Sequence, residues 1–201
     1  MIGRMPDMRV ERGRATRERL IEAAREAFGS KGYEATSVAE ILDAAGIAKG
    51  ALYHHFASKE ELFDAVLDRL VEDVAAAAAE RARRAPDPIA SLKAGCAAWL
   101  EMTLDPAVQR IGLLDAAAVV GWARMREIDE RHTLSGIRVN LERIGGLEAD
   151  VDLFAHMVLA AVNEAALFIA RADDPEAALE TGRRAVDELI DRLTTRQPAH
   201  D

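Results

Sequence analysis

From Thr16 the apolar positions Leu20, Ala24, Ala27 and Phe28 fall on one helical stripe, with Arg17, Arg19 and Arg25 outside it and Gly32 ending it. A second stripe, Leu62, Phe63, Val66, Leu67, Leu70 and Val74, starts from the capping residues Ser58-Lys59-Glu60-Glu61 and runs into the alanines 75–79. Arg81, Arg83 and Arg84 close it, placing cations beside the negative end of the helix dipole. The pattern predicts one long helix over 59–84 that bridges the two halves of the chain. Asp87-Pro88, Asp105-Pro106 and Asp174-Pro175 each join an N-cap carboxylate to a proline at the first helical position, predicting helix starts near 88, 106 and 175. Gly145-Gly146 ends a helix expected over 118–144, and Asp150 caps the next, over 151–172, which is apolar on most of its circumference. A last helix covers 175–195. Residues 1–13 show no helical period and carry Arg4, Arg9 and Arg12, which predicts a flexible basic arm. The expected fold is all-α, with about nine helices and no strand.

Between the first stripe and the bridging helix lies Thr36-Ser37-Val38-Ala39-Glu40-Ile41-Leu42-Asp43-Ala44-Ala45-Gly46-Ile47-Ala48-Lys49-Gly50-Ala51-Leu52-Tyr53-His54-His55-Phe56. Ser37 and Glu40 fit a capping box. Gly46 stands where the chain must leave a helix through a left-handed residue, a conformation cheap only for glycine. Ile41, Leu42, Ala45, Ile47 and Leu52 supply the contacts that lock two short helices at a steep angle. This is the pattern of a helix-turn-helix over 37–56, whose second helix is the usual reader of the major groove.

Net charge then sharpens the picture. The chain of 201 residues carries −9 overall, which looks wrong for a nucleic-acid binder until it is divided. Residues 1–59 hold 10 basic and 8 acidic side chains, a balance of +2, and the remainder hold 16 and 27, a balance of −11. Positive charge gathers where phosphate contact is needed, and the acidic part should point away from DNA. Alanine supplies 40 residues, favouring helix, and 50% hydrophobic content suffices for a core in one or two domains. No apolar run approaches a membrane span and the start lacks a secretory hydrophobic region, so the expectation is a cytoplasmic protein with no membrane partner. The lone Cys96 excludes an internal disulfide framework and fits a reducing compartment, where it reads as a small buried residue.

Within the second short helix, Lys49 can donate to guanine, Ala51 can touch a thymine methyl, and Gly50 permits close backbone approach. Tyr53 and His54 can reach phosphates, with His55 assigned to packing. Thr36, Ser37 and Lys59 start neighbouring helices, where free amides already favour an anion. No catalytic signature or cofactor motif is present. Glu127, Asp129, Glu130 and His132 could gather on one helix side for a metal, but a solvated face with internal ion pairs explains them better. The second half mixes bulky and polar groups among apolar ones, and Trp99, Met102, Trp122, Met125, Asn163 and Phe168 make up the expected pocket lining. His156 and Asn163 share a face with Leu159 and Leu167 that must meet a pocket, a neighbouring helix or a partner subunit. Apolar surface on the last two helices exceeds what one small domain covers. Phe168, Val186, Leu189, Ile190 and Leu193 are therefore the expected contact in a homodimer.

Residues 16–67 resemble the TetR family of transcriptional regulators through Ala23-Ala24, Phe28, Lys31-Gly32-Tyr33, Thr36-Ser37, Ile41, Gly46-Ile47, Leu52-Tyr53, His55-Phe56, Ser58-Lys59-Glu60 and Leu62-Phe63. The resemblance implies three parts: the arm 1–13, a helix-turn-helix domain over 14–74, and an effector-binding and dimerisation domain over 75–201. It also implies a repressor that holds a palindromic double-stranded operator as a homodimer and is released by a small hydrophobic effector, with no cofactor. Two residues depart from the family pattern. Ala48 stands where many members place a capping Ser, which costs about 1 kcal/mol of local helix stability, and Leu42 replaces a small residue. The first departure motivates an alternative, a small-molecule sensing protein that has lost specific DNA binding.

Overall fold

The structure, a computed structural model, describes residues 8–147 and 150–194. Among these every element is helical. The N-terminal end comprises α1 (Met8–Lys31), α2 (Val38–Ala45) and α3 (Lys49–Leu52), and α4 (Lys59–Arg83) leads away from it. The rest follows as α5 (Pro88–Met102), a π-helical segment (Val108–Asp115), α6 (Ala116–Val119), α7 (Gly121–His132), α8 (Leu134–Ile144), α9 (Val151–Ala170) and α10 (Pro175–Thr194).

Local chemistry places most of these boundaries. Asp87 accepts from Ala90 N–H at 2.8 Å, Asp150 from Leu153 at 2.9 Å and Asp174 from Ala177 at 3.1 Å, so each satisfies a helix-start donor. Two expectations change. The basic segment 1–13 is helical from Met8 onward, because Glu11, Arg12 and Arg14 are good helix formers that extend α1; residues 1–7 lie outside the described residues. The single helix expected over 118–144 is three. Gly121 breaks it at φ +77, in the left-handed region, and Thr133 interrupts it again.

Two cores form. One joins Leu20, Phe28, Ile41, Leu52, Phe63 and Leu70, and reaches across to Val108 and Ile111 of the π-helical segment. The other joins α5, α8, α9 and α10 around Leu100, Leu134, Ala155, Ile169 and Ile190. Residue 74, the expected domain boundary, falls inside α4, which lies along α1 at one end and α5 at the other. The ends are also pinned together directly: Asp115 accepts from Tyr33 N–H at 2.8 Å and pairs with Arg110 at 3.4 Å.

Close approach of α1 to the π-helical segment depends on Gly29. A Cβ there would meet the Ala107 Cβ at 2.7 Å and its Cα at 3.0 Å. Gly29→Ala gains helix propensity of about 1 kcal/mol but must push two backbones apart. We expect net destabilisation of about 1–3 kcal/mol, read as a lowered denaturation midpoint; an unchanged or raised midpoint would contradict this packing.

Candidate nucleic-acid interface and ligand cavity

Ser37 caps α2 as the sequence requires: its hydroxyl accepts from Glu40 N–H at 3.2 Å and Glu40 accepts from Ser37 N–H at 3.0 Å. Lys31 hydrogen-bonds the Glu40 carboxylate at 2.7 Å, and chiefly for that reason its pKa falls to about 2. Gly46 then turns the chain at φ +63, its N–H reaching the Asp43 carbonyl at 3.1 Å, and Ile47 N–H reaches Leu42 at 3.0 Å. The turn presents a short α3, whose N-cap Ala48 makes no side-chain bond. Tyr53 lies just past the end of α3 rather than on a second helical turn. A cap-less four-residue helix has little to sustain it beyond the burial of Leu52 and Phe56.

On this surface Ser37, Lys49, Gly50, Tyr53 and His54 are exposed, Tyr53 to 57%, and Ala51 is half-buried. Two expected phosphate contacts turn inward instead. Thr36 is 2% exposed, and its hydroxyl donates to Gly32 O at 2.7 Å and Ala27 O at 3.1 Å, closing the α1–α2 turn. Lys59 donates to the carbonyls of Tyr33 at 2.8 Å and Thr36 at 3.1 Å while its ammonium sits 4.0 Å from the Tyr33 ring centre. Tyr33 in turn packs edge-on to Phe63 at 5.2 Å. Lys59 thus fastens the turn before α2 to α4. His55 is half-buried, close to where a side chain at Gly13 would reach.

A cavity of about 430 Å³ opens between α4, α5, α7, α8 and α9. Its α4 wall is Val71, Val74 and the small residues Ala75, Ala78, Ala79 and Ala82, while Gly136 on α8 has open space beside it where a side chain would go. Space exists because these positions carry almost no side chain. Of the expected lining, Trp99, Trp122, Met125 and Asn163 are present, with Trp99 Nε1 donating to Asn163 Oδ1 at 3.0 Å. Trp122 is 73% exposed. Met102 and Phe168 do not line it: Met102 packs on the first core, and Phe168 projects from the outer face of α9, 54% exposed. Cys96 sits in the wall with its thiol pushed up to about 12, first by burial and then by Asp187, so it is a poor nucleophile.

The charged run of α7 divides its work. Arg124 donates to both carboxylate oxygens of Asp64 on α4 at 2.6 and 3.0 Å, and the Asp64 bonds chiefly raise its pKa. Arg131 reaches Asp68 at 2.6 Å, Glu130 pairs with Arg138 at 2.7 Å, and Glu127 with Arg124 at 3.1 Å. His132 Nε2 stands 3.5 Å from Asp68 in an orientation too poor to hydrogen-bond. Asp129 faces the cavity, and burial raises its carboxyl to about 6 against the pull of Arg126 and His156. A raised pKa means the folded chain holds a proton that the unfolded chain has lost between pH 4 and 6, so stability falls as pH rises through that window. Asp129→Asn should therefore stabilise the protein above pH 6 by about 2 kcal/mol after allowing for solvent at its open side. The gain should vanish near pH 4. Denaturation at the two pH values checks it, and an equal effect at both would contradict the burial account.

Sequence reading missed Asn140, Gly136 and the α4 alanines as cavity residues, and the Arg124–Asp64 clamp. The alanines are visible as a small-residue row at helical spacing, but only a facing helix reveals what they line. The dimer set also divides: Val186 and Ile190 are buried against the second core and Leu193 is half-buried in it. The outer face instead carries Leu153, Met157, Phe168 and Leu189. Helix α9 as a whole has the length and apolar composition of a membrane span, contrary to the sequence expectation. In the described structure α9 lies against α5, α8 and α10.

Residues 89–193 match the family model described as "Tetracyclin repressor-like, C-terminal domain", and residues 20–66 that of "Bacterial regulatory proteins, tetR family". A solved TetR-family transcriptional regulator from Pectobacterium atrosepticum is 31% identical, with a TM-score of 0.79 over 94% of this chain and 98% of that one. The HTH-type transcriptional activator FasR of Mycolicibacterium smegmatis is 39% identical over 42% of this chain. The HTH-type transcriptional repressor KstR2 of Mycobacterium tuberculosis is 53% identical over 25% of it. These segments span only 39% and 26% of the two relatives.

Proposed function

The chain belongs to the TetR family of bacterial regulatory proteins, DNA-binding transcription regulators and not enzymes, and on that premise we propose that it is a homodimeric repressor released from a palindromic operator by a small, mostly apolar effector. The observation that carries this reading is the alanine-walled cavity of about 430 Å³ on α4, the helix whose first turn holds the helix-turn-helix in place. An effector touching Met125, Ile128 and Asp129 acts on α7, and α7 is tied to Asp64 and Asp68 of α4 by Arg124 and Arg131. A ligand favouring one placement of α7 therefore biases the placement of α3 and shifts the population between DNA-competent and incompetent spacings. In a dimer paired through the outer faces of α9 and α10, the two copies of α3 must stand about 34–36 Å apart, one turn of DNA, to enter successive major grooves.

Lys49 and Tyr53 carry the DNA side. Tyr53→Phe removes one phosphate donor and should weaken binding about 2–10-fold across sequences. Lys49→Ala should lower the salt dependence by about one counterion and relax preference at one base position. Anisotropy titrations on an operator duplex and a scrambled duplex, at two salt concentrations, measure both. Variants that bind both duplexes like the parent would remove α3 from the DNA interface.

A further inference from the structure

A few polar groups interrupt the apolar wall of the cavity, and they narrow what can fill it. Asp129 and His132 near the end of α7 and Asn140 on α8 are among its lining residues. Asn140 is only 9% exposed, and its Nδ2 donates to Gly136 O at 3.0 Å. That bond fixes the amide orientation, because the flipped form would set two oxygens against each other. Its Oδ1 is left buried with no hydrogen-bond partner, an arrangement that costs free energy unless something donates to it. The Asp129 carboxyl accepts no hydrogen bond from any described residue either, and His132 Nε2, 3.5 Å from Asp68, is buried without a hydrogen-bond partner. The α4 part of the wall is Val71, Val74 and the alanines, which offer an apolar body no polar partner.

Resting on the effector-cavity reading above, we propose that the effector is an apolar molecule ending in a neutral hydroxyl, an alcohol or a phenol, whose O–H donates to the buried Asn140 Oδ1, with Asp129 a second acceptor in the same cavity wall. Asn140 Oδ1 can only accept, so a ligand group that pairs with it must donate. A carboxylate end would set like charge beside Asp129 and an acceptor against the Asn140 oxygen. A cation has no uncompensated charge to answer, since Arg126 and His156 already act on Asp129 and Arg171 also lines the cavity. Burial holds Asp129 at about 6, so near neutral pH it is mostly ionised and can accept a hydrogen bond from a hydroxyl.

The test uses the full-length protein and four probes of one shape: 4-butylphenol, its methyl ether, 4-butylbenzoate and 4-butylbenzylammonium. Binding is read by emission from Trp99 and Trp122, the only tryptophans, both at the cavity. We expect the phenol to bind at least about tenfold more tightly than the ether, and more tightly than either charged probe. In Asn140→Leu, which removes an unpaired buried acceptor, the phenol-to-ether ratio should collapse to about twofold or less while the ether still binds. Asp129→Asn provides the same comparison in an isosteric background should the leucine variant not fold, with the ratio again reduced. Equal binding of phenol and ether by the parent, or tightest binding of a charged probe, would overturn this inference and leave the effector cavity standing. If neither phenol nor ether binds, the cavity reading itself fails, and this inference with it.

Discussion

Phe168→Glu should turn the dimer into a monomer and weaken operator binding by about two orders of magnitude or more. Phe168 stands 54% exposed on the outer face of α9, in line with Leu153 and Met157, and Leu189 of the adjoining α10 is also exposed. Large apolar side chains left this open on neighbouring helices form a surface suited to the proposed homodimer, in which a two-fold axis would bring the same stripe from each chain together. A glutamate there would be desolvated without a partner across the interface. Each monomer would then hold one half-site and lose the effective concentration that the second supplies. The side chain does not reach the cavity or either core, so the monomer should keep its helical content and melt close to the parent. Light scattering at micromolar concentration and anisotropy on the operator measure the two effects. A monomeric parent, or a variant that stays dimeric with full affinity, would contradict the assignment of this face.

The second large effect is loss of communication. Arg124→Met removes the double hydrogen bond to Asp64 and the 3.5 Å approach to Asp68 that tie α7 to α4. The side chains are each about a quarter exposed, so the stability cost should be modest, about 1 kcal/mol. The coupling should suffer far more. An effector that weakens DNA binding by a factor of about 5–150 in the parent should weaken it about twofold or less in the variant, while DNA and effector each still bind alone. Titrating the operator complex with 4-butylphenol, in parent and variant, gives both numbers. Full release from the variant would show that the signal travels by another route.

What the sequence made legible was whatever local chemistry decides. The capping box of Ser37 and Glu40, the left-handed Gly46 and the Asp-Pro helix starts each involve residues within a few positions of one another. Their geometry follows from backbone rules that need no tertiary partner. The break at Thr133 was not legible, because an ordinary helix-tolerant residue sits there. Nor was the inward turn of Lys59, whose acceptors, the carbonyls of Tyr33 and Thr36, lie more than twenty residues away. Phe168 was misplaced into the cavity, and Val186 and Ile190 onto the dimer surface, for a related reason. A helix as uniformly apolar as α9 gives its periodicity no face to choose, so its orientation is set by α5, α8 and α10. The cavity is hardest to read of all, since it is defined by side chains that are missing: alanines on α4 and a glycine on α8, facing each other across the fold.

In the proposed function, residues 37–54 read a specific, two-fold symmetric DNA site. A nuclease-protection experiment with the purified full-length protein on the DNA upstream of its own gene tests it directly. The account predicts a protected stretch with inverted half-sites centred about one helical turn apart, or a whole number of turns, that disappears when one half-site is scrambled. Absence of protection, or protection that is indifferent to sequence, would contradict it.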